Sequence, residues 1–106
     1  MKYFILAILT LITFESAKSQ EATGSVYGKV IDEFTNEPLI GANIIILGTD
    51  LGAATNAEGE FSINNIPPNV YQIRASVIGY SSVTKTDVAV MPGKPAQVNF
   101  ELITQA

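Results

Sequence analysis

Beyond Gln20 the apolar residues recur at every second position in short runs, and each run ends in Gly, Pro, Asn or Asp. That period belongs to strands, whose successive side chains point to opposite faces. No stretch of this region sustains a helical period. Alternation of this kind builds sheets that bury one face and wet the other, which are antiparallel and pack in two layers.

The runs are separable one by one. In residues 25–31, Val26, Gly28 and Val30 share one face, and Tyr27, Lys29 and Ile31 the other. Residues 42–47 hold the unbroken series Ile44-Ile45-Ile46-Leu47, expected to be buried on one face and partly covered on the other. Residues 51–55 form a short third strand rich in Gly and Ala. A tight turn over Thr55–Phe61, with Gly59 as its turn residue, leads to a fourth strand over 60–63 with Phe61 and Ile63 inward. Residues 65–69 read as a loop, because Pro67 and Pro68 cannot sit in a central strand. The fifth run, 71–78, places Tyr71, Ile73, Ala75 and Val77 on one face, and Gly79 breaks it. The sixth, 80–90, is expected to split near Lys85-Thr86-Asp87. After a turn at 91–95, Val98, Phe100 and Leu102 face one way in the last run, and residues 103–106 are expected to trail off as a tail. Together these give an all-β, seven-stranded antiparallel Greek-key β-sandwich.

The first nineteen residues do not belong to that domain. Lys2 supplies an early positive charge, residues 4–14 are apolar except for Thr10 and Thr13, and small residues stand at Ala17 and Ser19. This is the layout of a secretory signal peptide, with cleavage expected after Ser19 and an uncleaved anchor as the alternative. The reading is therefore a signal peptide at 1–19, a short extension at 20–25, the sandwich at 26–102 and the tail at 103–106. Cleavage leaves about 87 residues, a domain whose modest core gives marginal stability. The chain has no cysteine. No disulfide can reinforce it, and a thiol-linked lipid anchor is excluded.

Composition removes most chemistry. With no histidine and no cysteine, nucleophilic triads and the usual transition-metal sites are excluded. The acids Asp32, Glu33 and Glu37, and Glu58 with Glu60, read as solvated loop groups. A calcium site from Asp50, Asn56 and Glu58 has the right ligand type but not an EF-hand spacing, and Asn56 is better placed to accept backbone hydrogen bonds within its turn. No catalytic, cofactor-binding or metal residue is assigned. Net charge is −4, and Lys29, Arg74, Lys85 and Lys94 are scattered, which argues against nucleic acid as a partner. Tyr27, Phe34 and Tyr80 are the aromatic candidates for an exposed binding patch.

A set of residues in fixed order carries a resemblance. Gly28 and Asp32 are followed by Pro38-Leu39-Ile40-Gly41-Ala42, then Gly48-Thr49, Gly52, Thr55-Asn56, Gly59, Phe61, Tyr71 and Gly79-Tyr80. In this order the chain resembles the carboxypeptidase regulatory-like domain over residues 26–102. The resemblance implies a transthyretin-like sandwich with Tyr71 and Tyr80 sealing the two ends of a thin core. Two departures stand out. Asn56 replaces a frequent Asp, and Asn69-Val70 replaces the glycine that precedes the tyrosine, so a left-handed Asn69 is expected.

Domains of this type flank the catalytic domain of metallocarboxypeptidases. In Bacteroidetes they stand at the N-terminus of SusC-type TonB-dependent receptors, after a signal peptide. The resemblance thus implies an exported, non-catalytic accessory domain, a monomer in the periplasm or at the outer membrane, in a carbohydrate-uptake system. Its partner would be a protein, either the receptor plug and barrel or an associated lipoprotein, reached through an unpaired sheet edge. The alternative is a stand-alone carbohydrate- or surface-binding module. The hydroxyisourate hydrolases, which share the transthyretin fold, use histidines this chain lacks.

Overall fold

The computed structural model describes residues 22–105, and the signal-peptide reading lies outside them. Strands run β1 Gly24–Asp32, β2 Asn43–Ile46, β3 Gly52–Ala54, β4 Glu60–Ile66, β5 Asn69–Ser76, β6 Val83–Val90, β7 Ala96–Gln97 and β8 Phe100–Leu102. Among the described residues there is no helix. One sheet has the order β4-β1-β7, with β8 also on β1; the other runs β3-β2-β5-β6. The expected all-β sandwich is therefore present.

Its core follows from the alternation. Val26, Val30, Phe61, Ile63, Phe100 and Leu102 point inward from the first sheet, and Ile44, Ile46, Ile73 and Ala75 from the second. The Phe61 and Phe100 rings lie 6.3 Å apart at a 45° tilt, within the range of favourable aromatic pairs.

Four details differ from the sequence reading. The seventh strand is two pieces, β7 and β8, and both pair with β1 in parallel (Val26↔Ala96, Val30↔Phe100). Residues 91–95 carry the chain across from the other sheet, so no hairpin forces an antiparallel return. Gly28 permits this arrangement, because a Cβ there would collide with the Val98 carbonyl oxygen.

Next, β4 continues through Asn64 and Asn65 to Ile66. The β1–β4 register slips between Gly24 and Val26, and Asn65 is left-handed at φ 61°. This bulge turns Ile66, which strict alternation from Phe61 and Ile63 would point outward, into the core, where it is fully buried. Asn65, not Asn69, takes the left-handed backbone expected before Tyr71.

Strand β6 is not split. It bulges where Asp87 takes φ 58° and the register with β5 shifts between Tyr71 and Ile73. Finally, residues 103–105 do not trail off. Ser81 N–H donates to Ile103 O at 2.9 Å, and Gln105 N–H to Gly79 O at 2.8 Å.

Candidate functional site

The end of the sandwich where β1 and β8 finish gathers most of the singled-out residues. Asp32 closes β1 and is buried. Its Oδ1 accepts from Phe34 N–H at 2.8 Å and Thr35 N–H at 3.0 Å, which folds the loop after it. Its Oδ2 accepts the Tyr80 hydroxyl at 2.7 Å. That hydrogen bond, helped by the Thr35 backbone amide, holds the Asp32 carboxyl below the usual carboxylate range. The same bond to Asp32 pushes the Tyr80 phenol above its ordinary value. Glu33 N–H donates to Leu102 O, so the loop, the 79–81 turn and the chain after β8 are tied together.

A second knot lies beside the first. The Thr55 side chain is buried; its hydroxyl accepts from Ala42 N–H at 2.8 Å and donates to Leu39 O. Gly41 N–H donates to Thr55 O at 3.0 Å. In the β3–β4 turn Asn56 Oδ1 accepts from Glu58 N–H and Glu60 N–H, at 3.0 and 2.8 Å. Gly59 stands at φ 76°, and a Cβ there would lie 2.6 Å from Val30 O and 3.0 Å from Pro38. Only glycine fits that backbone at that spacing. Gly28, Asp32, Pro38, Leu39, Gly41, Ala42, Thr55, Asn56, Gly59, Phe61, Gly79 and Tyr80 thus belong to β1 or to this end.

The remaining motif residues do not join them. Gly48 and Thr49 sit in the β2–β3 turn, where the Thr49 hydroxyl donates to Ile46 O. Gly52 opens β3 against Ile44 O. Tyr71 is at the far end, and its hydroxyl donates to Pro67 O at 2.6 Å. Asp50 lies at the opposite end of β3 from Asn56, so the calcium trio is not brought together. Among the described residues no three metal-ligand side chains cluster.

The knots carry an apolar surface. Phe34 is 72% exposed and Ile78 95%, and Ile40 and Ile103 are exposed beside the same loops. Tyr80, a candidate for the aromatic patch and also expected to seal one end of the core, is half-buried against the core, and Asp32 holds its hydroxyl. Ile40, Ile78 and Ile103 were not marked as site residues by the alternation. For two of them the signal was an isoleucine next to a turn glycine, at Ile40-Gly41 and Ile78-Gly79; Ile103 has no such neighbour.

The edges of the β3-β2-β5-β6 sheet are less inviting. Strand β3 has three residues, and β6 carries Lys85 and Asp87 with a bulge between. Short, charged and bulged edges resist strand addition.

A family model described as the CarboxypepD_reg-like domain matches residues 26–106. The chain belongs to that family. CarboxypepD_reg-like domains are a non-catalytic domain type, and the match includes residues 103–105, which pair with the 79–81 turn. A comparison with curated protein sequences found no match.

Solved structures share the fold at low identity. A type II cohesin–X-dockerin complex from Acetivibrio cellulolyticus is similar at 21% identity and TM-score 0.65, covering 78% of this chain and 58% of that one. The Bacillus anthracis TIE protein is similar at 20% identity and TM-score 0.66, covering 78% and 17%. BcpA, the major pilin subunit of Bacillus cereus, is similar at 14% identity and TM-score 0.61, covering 79% and 31%. This chain spans less than two thirds of each of those chains.

Proposed function

We propose that this CarboxypepD_reg-like domain is an exported, non-catalytic module that docks against a partner protein through the end bearing Phe34, Ile40, Ile78 and Ile103. One observation carries the reading. An isoleucine almost wholly in solvent is held on a turn fixed by the Asp32–Tyr80 bond and by Gln105 N–H to Gly79 O. Grouped apolar side chains on rigid loops mark interaction surfaces, because ordering them on binding costs little and burying them gains. Its likeness to a cohesin–X-dockerin complex is consistent with such use of the fold.

The setting we propose is the N-terminal extension of a TonB-dependent outer-membrane receptor, or a truncated copy of one, with the plug, barrel or an associated lipoprotein as partner in the periplasm. The signal-peptide pattern of residues 1–19 and the family support it. A photo-reactive side chain placed at Ile78 in cells is expected to crosslink to an outer-membrane protein. The same group at Thr84, on exposed β6, is expected to give none. Equal crosslinking from both positions would reject this end as the docking surface. The coding sequence beyond Ala106 tests the setting, and a plug and barrel are expected there.

A further inference from the structure

A groove of about 690 Å³ is lined by residues of β1, β4 and β7 together with Ala53 and Ala54 of β3, and includes none of Phe34, Ile40, Ile78 and Ile103. Tyr27 is part of its lining, exposed at 43% although it lies on the middle strand of its sheet. Its cross-strand neighbours are Ser62 on β4 and Gln97 on β7, and one step along β1 Lys29 faces Glu60. An aromatic ring is thus set in a row of hydroxyl and amide groups.

Two of the amides are already oriented. Asn99 Oδ1 accepts Lys29 N–H at 3.0 Å, and Asn56 Oδ1 accepts two backbone amides of its turn. Each oxygen is therefore committed to the backbone, which leaves each NH2 group available as a donor at the groove. Gln97, Ser62 and Glu60 add acceptors. Lys29 is the one cation in the lining and stands opposite Glu60, so the groove offers no net positive charge for a phosphate. Its apolar wall beyond the aromatic rings is only Ala53 and Ala54, too little for a lipid tail.

The geometry points to a binding site for a neutral saccharide. A pyranose ring presents an apolar C–H face, which stacks on Tyr27, and equatorial hydroxyls, which exchange hydrogen bonds with the flanking amides, Ser62 and Glu60. Pre-set donors lower the ordering cost of such a contact. This site is separate from the apolar end, so either can fail alone.

The test is amide NMR of the isotopically labelled exported chain, titrated with maltohexaose, cellohexaose, xylohexaose and mannohexaose. At least one is expected to shift the amides of Tyr27, Ser62 and Gln97 at millimolar concentration. Tyr27→Ala is expected to weaken binding by about tenfold or more, equivalent to ~1.4 kcal/mol. Gln97→Ala weakens it too and serves if Tyr27→Ala does not fold. Phe34→Ala leaves it unchanged. Absence of shifts with all four sugars overturns the proposal, as do shifts centred on Phe34 and Ile78 or binding that survives both groove variants.

Discussion

Replacing Thr55 by Val isolates one hydroxyl at nearly constant shape. In the folded chain that hydroxyl accepts Ala42 N–H within the buried interior and donates to Leu39 O. Valine leaves Ala42 N–H with no acceptor, which costs about 1–3 kcal/mol, and removes the bond to Leu39, about 1 kcal/mol more. The extra buried methyl returns less than about 1 kcal/mol. The net loss is about 2–3 kcal/mol. Thr55→Ser keeps both bonds and gives up one methyl, about 0.8 kcal/mol. Urea unfolding of the purified domain, followed by circular dichroism, measures both. With a slope near 1 kcal/mol per molar, Thr55→Val lowers the midpoint by about 2–3 M and Thr55→Ser by about 1 M. If valine is as stable as serine, the Thr55 hydroxyl does not hold the 39–42 loop, and the reasoning about this end fails.

Other substitutions probe other contacts. Tyr80→Phe is expected to flatten the pH dependence of stability at both ends. The lowered Asp32 pKa gives stability that is present above the ordinary carboxylate range and lost as pH falls through the folded value. The raised Tyr80 pKa gives stability present below the ordinary phenol range and lost as pH rises through the folded value. Urea midpoints measured across pH check both limbs. Gly59→Ala is expected to cost about 1–3 kcal/mol, since alanine must hold a left-handed backbone against Val30 O; thermal unfolding measures it. Ile78→Ser is expected to change stability by less than about 0.5 kcal/mol, because the side chain is in solvent; thermal unfolding measures it.

The strand-by-strand alternation was legible in the sequence, and Val26, Val30, Phe61, Ile63, Ile73 and Phe100 are buried as it required. The turn at Thr55–Phe61 was also legible, down to Asn56 as a backbone acceptor and Gly59 as the left-handed residue. Parallel pairing of the last strands with β1 was not, because alternation looks the same in either direction. The slip that buries Ile66 is a backbone event at Asn65, and a period of two has no sign for it. The Asp32–Tyr80 bond joins residues 48 apart in sequence, so neither showed its partner. Tyr80 was legible as a seal on the end of the core, but the Asp32 partner that fastens its hydroxyl was not, and the isoleucines around it looked like ordinary loop residues.

Amide hydrogen exchange, compared between the domain alone and the domain in its native outer-membrane fraction, tests the docking claim most directly. Added protection is expected in residues 33–41, 77–81 and 102–105, with the β6 edge unchanged. Protection confined to β6, or no difference between the two states, would contradict the account.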